Sequence, residues 1–265
     1  MSLVLTGRLR SSRIARVNPV AKLAAALLVS LTLVLSIDWV SATVALALEA
    51  AILPFTGVGA RQFWLRTAPV WVAAVAATVA TALYGADAGF VLWSFGFVTV
   101  SQGSLMLAGA IGLRVLAIGL PGVVLFATSD PTELADGLAQ LVHLPARFVL
   151  GALAALRLVG LFVDDWRALA RARRARGIGD GGGPIGWLRR LGSQAFALLV
   201  LSLRRGSKLA TAMEAKGFGG SRRRTWARAS RFGRAEVVMV LIGAGVAGCA
   251  VAAAVAAGSW NLVVS

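Results

Sequence analysis

Residues 21–53 read AKLAAALLVSLTLVLSIDWVSATVALALEAAIL, apolar throughout except for Lys22, Asp38, Glu49 and a few hydroxyl residues. An α-helix rises about 1.5 Å per residue, and the hydrocarbon core of a bilayer is roughly 30 Å thick. The stretch is therefore too long for one crossing. Asp38 lies near its middle, so the run reads as a tight hairpin of two helices turning at Ile37-Asp38-Trp39. Pro54, Gly57 and Gly59 break the second helix, and Arg61 and Arg66 follow. The expected fold class is an all-α integral membrane protein.

Outward from this hairpin the pattern continues. A third apolar run covers about 67–84 and a fourth covers 104–128, interrupted by Arg114. Residues 85–103 carry Asp87 and no cation around a short apolar stretch, 90–100, and the last run, 237–257, has no charge. Arg114 is expected to face protein or a polar cavity, with Glu49 as its conjectured partner. Arg8, Arg10, Arg13 and Arg16 precede the first run in the manner of a signal peptide. That run is too long for a signal-peptide core and merges with the next, so it is read as a retained anchor.

Composition agrees with this reading. Of 265 residues 58% are hydrophobic and only 14% charged, yet the formal charge is +16. So much apolar surface excludes a disordered chain, and the long apolar runs exclude an ordinary nucleic-acid-binding domain, so no nucleic-acid partner is expected. His143 and Cys249 are single residues of their kinds. They leave almost no material for a His-based triad, a metal site or an internal disulfide. No metal ligands are assigned.

The cations are unevenly placed: 19 of the 27 Lys and Arg residues lie between positions 130 and 234. Cationic loops stay on the cytoplasmic side. A cytoplasmic N-terminus, 61–66 loop and 130–234 region require four crossings before residue 130. Residues 90–100 then become an outside-facing or re-entrant piece. The last run crosses outward and leaves the C-terminus outside, for about five spans in all. Residues 148–163 are almost long enough to span, whereas 191–203 are not. Crossing at 148–163 would bury Arg157 in the bilayer and put the cations of 167–176 outside. That helix is therefore expected along the cytoplasmic face. The resulting divisions are 1–129, a membrane region of about four spans, 130–234, a cytoplasmic region, and 235–265, the last span.

The cytoplasmic region reads as helices. Ser129-Asp130-Pro131-Thr132-Glu133 is a helix start, followed by a helix to about Val142. A second helix is expected from Pro145 to about Arg176 and a third from Pro184 to about Lys216, each stopped by glycine. Both turn from apolar to cationic along their length, and they finish in near-identical tripeptides, Ala175-Arg176-Gly177 and Ala215-Lys216-Gly217. Each places a cation at the last helical turn, compatible with the helix dipole, just before a chain reversal. Alanines at 168, 170, 172 and 175, and at 210, 212 and 215, let another backbone come close. This is the shape of a charged plug for a partner's groove.

These features resemble the transmembrane coupling (T) component of energy-coupling-factor (ECF) transporters, the EcfT/CbiQ family. The resemblance rests on Asn18-Pro19-Val20-Ala21-Lys22-Leu23, Thr128-Ser129-Asp130-Pro131, Leu156-Arg157, the run Ala170-Arg171-Ala172-Arg173-Arg174-Ala175-Arg176-Gly177, and Ala212-Met213-Glu214-Ala215-Lys216-Gly217-Phe218. It implies two cytoplasmic coupling helices, two cytosolic EcfA-type ATPase subunits, and a small substrate-binding S component for a vitamin or a transition metal. The chain itself would bind no cofactor, ATP being used by the partner subunits, and would not be an enzyme. Its place would be the cytoplasmic membrane of a bacterial or archaeal cell. On this likeness Ala175, Arg176, Gly177, Ala215, Lys216 and Gly217 form the ATPase-coupling ends. Lys216 stands where the family has Arg, replacing a rigid fork by a mobile point charge.

Other patterns carry less. Gly177-x-Gly179-x-x-Gly182 matches a dinucleotide-binding spacing but follows a helix, not a strand. Glu133 with Asp136-Gly137 lacks the later Asp pair that would complete a metal site. Asp164 and Asp165 beside Arg167 read as an ion-pairing exposed face. Arg171, Arg173, Arg174, Arg222, Arg223 and Arg224 are candidate partner or lipid contacts; the cluster from 222 to 234 fits anionic membrane lipids. The alternatives are a permease of another class, which needs polar residues at mid-membrane, or a membrane-embedded enzyme.

Overall fold

The computed structural model describes residues 14–57, 59–85, 89–95, 98–177, 183–218, 220, 225–226 and 228–260. Arg8, Arg10, Arg13, Asp87, Gly179, Gly182, Arg222, Arg223 and Arg224 lie outside the described residues. The helices are α1 (Pro19–Leu35), α2 (Trp39–Ile52), α3 (Ala60–Tyr84), α4 (Gln102–Thr128), α5 (Pro131–Gln140), α6 (Ala146–Ala175), α7 (Gly183–Ala215) and α8 (Arg234–Ala256). Between α3 and α4 run two strands, β1 (Val91–Phe95) and β2 (Val98–Ser101). The described residues fall into two compact units, 14–137 with 230–260, and 138–229.

In the first unit the expected hairpin forms where a short polar turn can satisfy itself. α1 stops at Leu35 and Asp38 caps α2, its Oδ2 accepting from the Ser41 backbone N–H at 2.7 Å. Asp38 Oδ1 accepts from the hydroxyls of Ser36 and Ser41, and all three side chains are buried. A turn with its own donors and acceptors needs no water to solvate the carboxylate. A single 3-10 turn, Leu53–Thr56, and Gly57 at φ 71° end the hairpin. Residues 90–100 form a small antiparallel ladder, pairing Val91 with Ser101 and Phe95 with Val98. α4 then starts on a reciprocal cap, Ser104 N–H to Ser101 Oγ at 3.1 Å and Ser101 N–H to Ser104 Oγ at 3.0 Å.

The core of this unit gathers Val29 and Leu33 of α1, Ala45 of α2, Ala117 of α4, and Val246 and Ala250 of α8. Helix association in hydrocarbon depends on close packing because lipid is as apolar as the side chains. Gly243 shows how close: a Cβ there would lie 2.6 Å from Ala25 Cα. Large side chains such as Leu31, Val72, Phe126 and Leu241 are exposed instead. Small residues inside and large apolar ones outside are what a lipid-facing bundle requires.

Among the described residues five helical stretches are long and apolar enough to cross a membrane: 39–56, 60–84, 102–128, 146–175 and 234–256. The expected number is matched, but the membership differs. α1 has 17 residues, at the lower limit for a crossing and shorter than these five, whereas α6 qualifies by its apolar first half.

The second unit is built on two long helices, α6 of 30 residues and α7 of 33. Arg205 of α7 pairs with Asp165 of α6 at 2.7 Å, and Gln194 Nε2 donates to the Trp166 carbonyl at 2.8 Å. Phe148, Val159, Trp187, Phe196 and Leu203 remain exposed on these helices.

Candidate functional site

The matching tripeptides close α6 and α7 in matching conformations. Gly177 has φ 72° and Gly217 has φ 75°, a left-handed backbone that glycine adopts without Cβ strain. At the end of α6 the Gly177 N–H donates to the Arg174 carbonyl at 2.9 Å and the Arg176 N–H to the Arg173 carbonyl at 3.1 Å. At the end of α7 the Gly217 N–H donates to the Glu214 carbonyl at 2.8 Å, and the Phe218 N–H reaches back to the Met213 carbonyl at 2.9 Å. These two bonds make a Schellman cap. Ala175, Arg176, Gly177, Ala215, Lys216 and Gly217 are all exposed, so each end presents a cation beside a small residue.

The other cations separate by position. Arg171 and Arg174 are exposed. Arg173 instead binds α7, donating from NH2 to the Ser193 carbonyl and hydroxyl, both at 3.1 Å, and from NH1 to the Arg190 carbonyl at 3.4 Å. Arg167 and Asp164 face each other at 4.0 Å on an open surface, as their spacing implied. Asp165 points the other way, to Arg205. That pair joins positions 40 apart and leaves no local pattern to read.

The pair conjectured between Arg114 and Glu49 does not form: Nε and NH2 of Arg114 and both carboxylate oxygens of Glu49 are buried with no hydrogen-bond partner. The axial offset explains it. Arg114 lies within the field of Asp38, at the start of α2, whereas Glu49 sits near its end. Eleven residues of helix place those two levels about 16 Å apart. Two stretches distant in sequence do meet: Lys22 Nζ donates to the carbonyl of Thr128, the last residue of α4, at 3.0 Å. Among the described residues no group of three or more His, Cys, Asp or Glu side chains is placed to hold a metal ion.

The fold is that of a multi-pass helical membrane protein, with two long helices that finish in exposed basic ends. The family model CbiQ, described as cobalt transport protein, matches residues 10–226, and the chain belongs to this family of transporter components. It is 28% identical over 211 residues to the energy-coupling factor transporter transmembrane protein EcfT of Limosilactobacillus fermentum, covering 74% of this chain and 78% of that one. It is similar to the EcfT proteins of Streptococcus thermophilus, 33% identical over 145 residues, and Bacillus subtilis, 29% over 145 residues, each match covering 52% of this chain and 55% of the relative. The chain spans between 55% and 63% of the length of the seven relatives that follow the first.

Proposed function

We infer that this chain is the transmembrane coupling component of an ECF importer, carrying ATP-driven motion from two cytosolic EcfA-type ATPases to an S component that brings a vitamin or a transition metal. The observation that carries this reading is the pair of left-handed glycines that close α6 and α7, Gly177 and Gly217, each directly after an exposed cation. A helix of 30 residues is about 45 Å long, so a small displacement at its end moves the whole rod. The Asp165–Arg205 pair and the Gln194 bond link the two rods along their length.

Arg176 is the anchor for one ATPase and Lys216 for the other. Ala175 and Ala215 let the groove backbone close on the tip, and the glycines turn the chain away from it. A guanidinium offers a planar fork for a carboxylate, and an ammonium a mobile point charge, so the contact at Lys216 is the less geometrically specific. ATP is held and hydrolysed by the partners, and this chain supplies no catalytic group.

The cationic 130–234 region and the N-terminus lie in the cytoplasm, with the C-terminus outside. α6 belongs on the cytoplasmic side because its exposed Arg157 would otherwise face hydrocarbon. The basic stretch before α8, including Arg222, Arg223 and Arg224, meets anionic lipid headgroups at about 1 kcal/mol per cation.

Co-expression with the ATPases and the S component tests the reading. Arg176→Ala and Lys216→Ala singly weaken ATPase capture, and together they abolish it and uptake. A double variant that still co-purifies and transports at the parental rate overturns the anchors. Labelling of a cysteine introduced at Arg228 from outside the cell would overturn the orientation.

A further inference from the structure

The chain passes between its two compact units twice, leaving the first after Gly137 and returning at Ser230. In the first unit both points are held at one side chain. Asn18, the residue before α1, donates from Nδ2 to Ser230 Oγ at 2.8 Å and to the Arg231 carbonyl at 3.2 Å. Its Oδ1 accepts from the Val20 N–H at 3.0 Å, capping α1. Its own backbone N–H donates to Glu236 Oε1 at 3.2 Å, while Glu236 Oε2 accepts from the Gly233 N–H at 2.8 Å at the start of α8. From α5, Gly137 packs on the same spot: a Cβ there would lie 2.5 Å from Val20 Cγ2, 3.2 Å from Asn18 Oδ1 and 3.3 Å from Ser230 Oγ. A side chain at position 137 would strike Val20 of α1 and crowd both Asn18 and Ser230.

The same two segments are joined inside the second unit, where Gln140 Nε2 donates to the Arg228 carbonyl at 2.8 Å. One turn into α1, Lys22 holds the end of α4 through Thr128. The departure and return of the α6–α7 segment therefore share one attachment, and that attachment reaches α1 through Asn18, α4 through Lys22 and α8 through Glu236. A load applied through a single shared root turns all three helices together, whereas two separate roots would let them respond independently.

We propose that Asn18, gripping Ser230 and Arg231 beside Gly137, is the positioning residue of a pivot through which motion of the α6–α7 segment reaches α1, α4 and α8. This rests on the coupling role inferred above. The carboxamide does two separable jobs. Its oxygen caps α1, which a carboxylate also does, and its N–H groups grip the returning segment; a carboxylate cannot donate to the Arg231 carbonyl, and Ser230→Ala removes the hydroxyl it could accept from.

The test uses the whole complex in liposomes, with cysteine-free partner subunits, and needs no knowledge of the cargo. Cys249, the only cysteine of the chain and exposed on α8, carries an environment-sensitive fluorophore. ATP shifts its emission in the parent complex. Asn18→Asp combined with Ser230→Ala keeps co-purification and ATP hydrolysis but loses the shift, a separation that general destabilisation does not produce. Gly137→Ala also loses the shift, and adding Val20→Ala restores it by removing the methyl group that the new Cβ strikes. This second pair decides the matter should the first variant fail to assemble. A parental shift in Asn18→Asp/Ser230→Ala or in Gly137→Ala overturns the pivot, as does a missing rescue by Val20→Ala. A parent complex that hydrolyses ATP with no response at Cys249 overturns it too. A parent chain that captures no ATPase instead overturns the coupling role itself, a different and recognisable result.

Discussion

Lys22 Nζ lies 3.0 Å from the carbonyl oxygen of Thr128, so the first turn of α1 supplies the donor that the last turn of α4 lacks. The final carbonyls of a helix have no intrahelical partner, and at an end buried within the protein few alternatives exist. The ammonium is almost fully enclosed, with Lys22 at 4% exposure.

Lys22→Met therefore removes a bond and strands a buried carbonyl. The expected loss is about 1–3 kcal/mol, read as a lower unfolding temperature in detergent. Thr128→Val should be close to neutral, because the hydroxyl contact is the longer one, 3.4 Å. Equal effects from the two substitutions would contradict the assignment of the carbonyl as the principal acceptor.

At the coupling ends the requirement is for backbone shape. Nothing lies within 4 Å of a Cβ built on Gly177 or Gly217, so substitution meets no steric obstacle, only the left-handed φ. Gly177→Ala and Gly217→Ala each cost roughly 1–2 kcal/mol locally, and Asn costs less than Ala. Hydrogen exchange in the last turn of α6 or α7 measures this, with faster exchange expected for Ala than for Asn. The reverse order would remove the backbone explanation.

Between α1 and α8 the limit is space. Gly243→Ala puts a methyl group 2.6 Å from Ala25 Cα and 2.7 Å from its Cβ, which forces the helices apart at a cost of about 1–3 kcal/mol. Ala25→Gly in the same chain should recover part of that loss, since it removes one of the two struck atoms. Additive losses in the double variant would show that the two positions do not touch.

Asp165 and Arg205 are partly exposed, at 27% and 38% of their side-chain surfaces, which sets a ceiling on what their pair contributes. A double-mutant cycle with Asp165→Asn and Arg205→Gln should give a coupling of about 0.5–1 kcal/mol, smaller at high salt. A coupling above this range that ignored salt would mean the pair is shielded from water in the assembled protein.

Legibility in the sequence followed the range of the interaction. The Asp38 turn, the glycine stops of α6 and α7 and the start of α5 at Pro131 were readable because each is decided by neighbours a few residues away. The β1–β2 ladder is not readable in this way, since strand pairing joins two segments across a turn, and the sequence alone gives only an outside-facing or re-entrant piece. Arg173 looked like any other cation of its run, and only the approach of Ser193 shows it engaged with α7. Glu49 and Arg114 were matched on opposite charge alone. Charge complementarity says nothing about axial level, and along parallel rods level decides who meets.

By itself the sequence determined that this chain is a helical membrane protein, where its cations cluster, and which two glycines end its longest helices. Those are consequences of burial, of backbone freedom and of charge, each a property of one short segment. The tertiary structure alone decided that Asp165 finds Arg205, that Lys22 closes α4, and that Gly137 and Ser230 come together on Asn18. Each of those contacts joins residues far apart in the chain, where the partner is set by how whole helices pack.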